Sequence, residues 1–198
     1  MKALLLNCSL EKGHNETETE TLLNKSALVF QKEKVDIERV HLRDFQITFG
    51  ITSNLDGNDD WPFIFEKICE ADIILFATPI TLGEKSSIAT LIIERLQGYH
   101  DMKNKKGQQL FYNKVGGVIA VEQGEGGARL AVQSIIYSLS MLGFTIPPHS
   151  STICSDPYDT DSAAQTGQKV FRMCSNLINF AEIFDFSPIP LIEDTSEV

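Results

Sequence analysis

At 198 residues with 42% apolar side chains, the chain is long enough to bury a real core and fits one main domain. Its formal charge of −10 and isoelectric point near 4.8 argue against a nucleic-acid or anionic-membrane partner, because a field of that sign repels both. The start, Met1 to Asn7, has only four consecutive apolar residues, too few for a signal-peptide core or a membrane span, so a cytoplasmic protein is expected.

Residues 3–6 read as a buried strand and Asn7 to Asn15 as a polar loop. A helix then begins around Thr17 to Thr21, with Leu22, Leu23, Ala27 and Phe30 on one face and Lys32 and Lys34 near its negative end. Val35 to Leu42 reads as a second strand by its period of two, and Phe45 to Asp60 as a long irregular loop. Trp61-Pro62 opens a helix whose inward face is Ile64, Phe65 and Ile68. Ile73 to Ala77 is continuously apolar, as suits a strand buried on both faces, and Pro79, lacking an N–H, is expected to end it.

Ser86 or Ser87 is placed to cap the next helix, which carries Ile88, Leu91, Ile92 and Arg95 at helical spacing. Gly98 to Asn113 reads as a polar surface connection and Val115 to Val121 as a buried strand. A helix from about Ala128 to Leu142 stops at Gly143. Phe144 to Ile146 is expected to start the fifth strand, and Ser155 to Thr166 to be a loop. The last amphipathic helix carries Val170, Phe171, Cys174, Leu177, Ile178 and Ala181. This divides the chain into a domain over 1–182 and an acidic tail over 183–198.

Strands and helices alternate throughout, which implies an α/β fold: a doubly wound, five-stranded parallel sheet with helices on both faces. The flavodoxin-like order 2-1-3-4-5 is expected. It brings the loops after strands one, three and four to one edge of the sheet. In the first, Ser9, Thr17 and Thr19 are candidate phosphate donors at a helix start, although Glu16, Glu18 and Glu20 would repel an anion unless turned away. The second, Thr78 to Gly83, can lie along a flat heterocycle. The third, Glu122 to Gly127, has glycines that permit close backbone approach. Each also has an ordinary structural reading, as helix cap, strand connection or tight turn. No G-x-G-x-x-G follows the first strand, so a dinucleotide site of that type is not expected.

Taken together, Ala3 to Leu10, Ala71 to Gly83, Ser86-Ser87 through Glu94-Arg95, and Asn113 to Val118 resemble the flavodoxin-like NAD(P)H-dependent FMN reductases. Gly127-Ala128 and Leu142 to Pro147 are similar to a subgroup of it. The resemblance spans about residues 1–182. It implies FMN as cofactor and NAD(P)H as co-substrate, with a quinone, a free flavin or another small-molecule electron acceptor, in a homodimer or homotetramer. It also implies a flavin site built from Ser9, Thr17, Glu18 and Thr19, from Pro79, Ile80, Thr81, Leu82 and Gly83, and from Gln123, Gly124 and Gly127. No catalytic acid or base is required, since the flavin carries the chemistry.

The chain departs from that family at several positions. Thr81 and Leu82 stand where an aromatic residue is usual, Glu18 where an Asn is usual, and Gly124 and Gly126 where an Asn and an acidic residue are usual. Ile153-Cys154 and Ser155 to Pro157 replace aromatic residues and a glycine-rich segment. Three functions therefore stand open: an FMN-dependent oxidoreductase, a protein on the same fold that has lost flavin and serves a non-catalytic role or another ligand, and an electron-transfer flavodoxin with no hydride step.

The remaining reactive residues give little. Cys8, Cys69, Cys154 and Cys174 are too scattered for a metal site and read as free thiols, and no histidine pair has metal-ligand spacing. His14 reads as a solvated loop residue before an anion contact. Arg129 reads as a surface residue before a phosphate contact, and Arg95 is expected to pair with Glu94, Glu84 or a neighbouring subunit.

Overall fold

The computed structural model describes residues 1–12, 17–51, 58–104, 106–122, 126–155 and 160–186. Strand β1 (Lys2–Asn7) leads to helix α1 (Glu18–Lys32) and β2 (Asp36–His41), then a single 3-10 turn (Leu42–Asp44) and α2 (Trp61–Glu70). Next come β3 (Ile73–Thr81), the short β4 (Glu84–Lys85), α3 (Ser87–Gln97), β5 (Val115–Glu122), α4 (Ala128–Met141), β6 (Ser151–Cys154) and α5 (Thr160–Phe186).

Five strands run parallel in the order β2-β1-β3-β5-β6, and β4 pairs antiparallel with the end of β3. The fold is flavodoxin-like, but the sheet has six strands, not five. The addition is a hairpin: Ile80 and Thr81 pair with Lys85 and Glu84 across Leu82 and Gly83, whose φ values of 53° and 79° suit a two-residue primed turn.

Alternation along each buried strand splits the core into two layers. Leu4, Leu6, Ile74, Phe76, Val118 and Ala120 face α2, α3 and α4. Leu5, Ile73, Leu75, Ala77, Ile119 and Val121 face α1 and α5. Among the described residues, no helix is long and apolar enough to cross a membrane.

Several local expectations need correction. Pro79 does not end β3, which continues to Thr81. Cys8 N donates to Ala77 O at 2.8 Å, so Ala77 and, two residues on, Pro79 turn their backbone polar groups toward β1. β1 stops at Asn7, so the missing N–H of Pro79 leaves no partner unmet. The fifth parallel strand is Ser151–Cys154, not Phe144 to Ile146. Thr145 makes one bridge to Val115 before the chain turns through Pro147, Pro148 and His149, whose φ is 53°.

The segment 98–113 is not merely surface: Tyr99 and Phe111 are buried, and Phe111 stacks on Phe144 with centroids 4.8 Å apart. Residues expected in the loop before the last helix are helical from Thr160. That helix reaches Phe186, so the start of the expected tail is helical too, while 187–198 lie outside the described residues.

Arg95 pairs with neither Glu94 nor Glu84. Its guanidinium, fully buried, donates from Nη2 to Asp59 Oδ2 at 2.8 Å and from Nη1 to Thr48 O at 3.0 Å. Asp59 Oδ1 also accepts from the amides of Thr48 and Trp61, at 3.2 and 3.1 Å. The irregular segment after the 3-10 turn is thereby fastened to α2 and α3. It lies so close that a Cβ added at Gly98 would fall 1.7 Å from Ile51 O. Gly98→Ala is expected to lower unfolding free energy by about 1–3 kcal/mol, the cost of forcing atoms into a packed contact. A urea midpoint equal to wild type would refute that tight approach.

Burial also sets the thiols. It pushes Cys8 well above the ordinary 9.0 and Cys174 up to about 12, in the latter against an opposing hydrogen bond from Ser26. Above the ordinary thiol range the unfolded chain loses these protons while the folded chain keeps them, so stability falls as pH rises. The limit is about 1.4 kcal/mol per pH unit for each such thiol. In urea unfolding at about pH 8 and about pH 10, Cys174→Ala is expected to show a shallower alkaline decline than wild type; an identical decline would contradict the assignment.

Candidate functional site

β1 ends in a turn built by its own last residue. Asn7 Oδ1 accepts from Ser9 N at 2.9 Å, while Asn7 Nδ2 donates to Glu20 Oε2 at 2.8 Å. Ser86, the cap of α3, joins this turn to the loop after β3. Its Oγ donates to Cys8 O at 2.7 Å and accepts from Ala89 N at 3.1 Å, and its amide donates to Thr78 Oγ1 at 3.0 Å. Thr17 caps α1, its Oγ1 accepting from Glu20 N at 3.1 Å. The first-turn amides of α1, including Glu18 and Thr19, have no carbonyl partner within the helix and are available to a ligand.

These elements enclose an open cavity of about 440 Å³, lined by Ser9, Leu10, Glu11, Thr17, Glu18, Thr19, Pro79, Ile80, Thr81 and Val121. It lies at the C-terminal edge of β1 and β3, where the connections leave toward opposite faces and open α/β sheets hold ligands. Ser9 is 3% exposed, and its Oγ has no hydrogen-bond partner among the described residues. An orphaned buried hydroxyl is costly unless something else meets it.

The charge pattern is mixed. Glu20 is drawn aside by Asn7 and by Arg39, whose Nη1 donates to Glu20 Oε1 at 3.2 Å, and it does not line the cavity. Glu11 and Glu18 do line it. The phosphate donors expected from sequence therefore converge, with two carboxylates at the same wall.

Ser9, Thr17, Glu18, Thr19, Pro79, Ile80 and Thr81 are thus brought to one cavity. Leu82 and Gly83 form the hairpin tip beyond it, and Leu82 is 85% exposed. Gly127 packs on that tip: an added Cβ would come within 2.6 Å of Gly83 Cα, at a φ of 100°. The side chain of Lys85 also ties the hairpin to α4, donating to Ser134 Oγ at 3.0 Å. Gly127 lines a neighbouring cleft of about 660 Å³ with Glu122, Arg129 and Lys169, where Glu122 Oε1 accepts from Ala128 N at 3.0 Å. Gln123 and Gly124, like His14 and Glu16, lie outside the described residues.

Sequence reasoning missed Leu10, Glu11 and Val121. Val121 was legible as the end of a buried strand adjoining β3. Leu10 and Glu11 carry no signal beyond their place in the loop. Among the described residues no group of acidic, histidine or cysteine side chains is arranged to hold a metal.

The 8-demethyl-8-aminoriboflavin-5′-phosphate synthase of Streptomyces davaonensis is 29% identical over 95% of this chain and 80% of its own length. A crystal structure of RosB with bound 8-demethyl-8-formylriboflavin-5′-phosphate superposes with a TM-score of 0.84 at 28% identity, covering 96% of this chain and 82% of that one. An apo NADH:FMN oxidoreductase, EMOB, shares the fold at a TM-score of 0.63 and 16% identity, over 88% of each chain. The family model described as NADPH-dependent FMN reductase matches residues 1–157, most of the chain, and the protein belongs to that family.

Proposed function

We propose that this protein is an FMN-binding oxidoreductase that takes reducing equivalents from NAD(P)H and passes them to a small acceptor such as a quinone or a flavin. The buried hydroxyl of Ser9, without a partner among the described residues and carried by a residue of the cavity wall beside the start of α1, carries the reading. Ser9 Oγ, Thr17 and the first-turn amides of α1 would hold the 5′-phosphate, using the positive end of the helix dipole. Pro79, Ile80 and Thr81 would support the ring system along the end of β3. Bound flavin supplies the hydride chemistry. The protein contributes position: Ser86 fixes the first two loops relative to each other, and the apolar floor of Ile80 and Val121 limits water.

Family membership supports FMN and NADPH. A homodimer is supported by an exposed face of α4 bearing Leu130, Tyr137 and Met141. Free thiols at all four cysteines support a reducing, cytoplasmic setting.

A second reading is favoured by the higher structural likeness to RosB, at a TM-score of 0.84, than to the oxidoreductase EMOB, at 0.63. In it, a riboflavin 5′-phosphate occupies the same cavity as a substrate to be altered, not as a resident redox carrier. Glu11 and Glu18 on the cavity wall suit a weaker, exchanging occupant, because they oppose the phosphate.

FMN titration of the purified protein, followed by flavin fluorescence, separates these possibilities from loss of flavin altogether. Saturable binding is expected, weakened about tenfold by Ser9→Ala, the scale of one hydrogen bond to a charged group. Addition of NADPH to the complex should then bleach the oxidised-flavin absorbance. Binding without bleaching favours the substrate reading. No binding at high micromolar FMN would end both.

A further inference from the structure

A second cavity of about 420 Å³ lies beside the first, and Leu10 lines both. Its walls are Leu10, Phe45, Ile47, Phe49, Ile88 and Leu91. Its volume is in the range of small-molecule sites, and Phe45 and Phe49 offer it aromatic surfaces. Phe49 is 79% exposed at its rim, an apolar group left in water.

Among the described residues, Arg43 is the one charged residue lining this cavity. Arg43 Nε donates to Leu10 O at 3.3 Å, which holds the guanidinium at the boundary between the two cavities. The neighbouring Asp44 is engaged by His41 Nδ1 at 3.2 Å, and Arg43 forms no ion pair among the described residues. Ser87, at the start of α3, also lines the space, so the positive end of that helix dipole adds to the same sign. In a protein of net charge −10, a small cavity whose one charged side chain among the described residues is cationic runs locally against the overall field.

The cavity is also held open by design of the chain around it. The segment carrying Phe45, Ile47 and Phe49 is irregular, yet it is anchored at Thr48 by both Arg95 and Asp59. Asp60 joins it at the other side, its Oδ2 accepting from Gln46 N at 2.7 Å. Such anchoring preorganises the walls and lowers the ordering cost of binding.

We propose that this cavity binds a small aromatic monoanion, a carboxylate or sulfonate, with its ring between Phe45 or Phe49 and α3 and its charge at Arg43. Its position next to the flavin, a clause that rests on the reading above, suits a co-substrate. Binding itself does not depend on flavin.

The test uses anilinonaphthalene sulfonate, an aromatic sulfonate that fluoresces when desolvated, on the full chain with and without FMN. One saturable site is expected in both. Arg43→Gln should weaken it about tenfold, the scale of a lost charge-assisted contact, and Leu91→Trp, which fills the cavity, should abolish it. FMN affinity should be unchanged in both variants. Arg43 is exposed, so its variant decides the matter if Leu91→Trp fails to unfold cooperatively. Absence of a saturable site, wild-type affinity in Arg43→Gln, or competitive displacement of the probe by FMN would each overturn the proposal. Failure of FMN to bind while the probe still binds would sink the flavin reading alone.

Discussion

The parting of β1 from β3 is the constraint on which the rest of the molecule depends. The two strands pair in register as far as Asn7 and Ala77, and Cys8 makes the last backbone bond. Beyond it β3 is met on that side only by the two-residue β4, while β5 still covers its other edge through Ile80 and Glu122. The chain after β1 turns to the face that carries α1, and the chain after β3 turns to the face that carries α3. Only the β4 hairpin and Ser86 bridge the gap between them. The crevice follows from topology, and side chains only decide what it holds.

What they supply is a balance. A hydroxyl without a partner among the described residues, a capped helix start and an apolar floor favour a phosphorylated ring compound. Two carboxylates at the wall oppose it. The molecule limits that opposition by removing a third: Glu20 is held by Asn7 and Arg39, groups that belong to the sheet and not to the cavity. A strongly acidic protein thus keeps an anion-compatible pocket by spending its own cations and amides locally.

Much of this was legible in the sequence, and the reasons differ by element. Thr17 and Ser86 were readable as caps because capping is local chemistry, needing only a hydroxyl and the amide three residues on. The alternation of elements was enough to bring the loops after strands one and three to one edge. Pro79 misled because its effect depends on which neighbour its nitrogen faces, a fact of register and not of residue type. Phe144 to Ile146 misled because an apolar run beside two prolines looks like a strand, though only Thr145 finds a partner before the turn. The partner of Arg95 lay beyond sequence reasoning altogether. Asp59 stands 36 positions away, and nothing local distinguishes it from the other acidic residues of its loop.

That ion pair has a consequence for motion. A fully desolvated guanidinium and carboxylate cannot separate without leaving each charge unpaired in the interior, which is strongly unfavourable. The backbone at Thr48 and at Asp59, held by that pair, therefore does not fray as surface loops do. It opens together with the end of α3, as one cooperative unit, and its amides should exchange with solvent at the rate of that shared opening. The cavity it walls therefore keeps its shape without a ligand, and like the crevice between β1 and β3 it stands open to solvent.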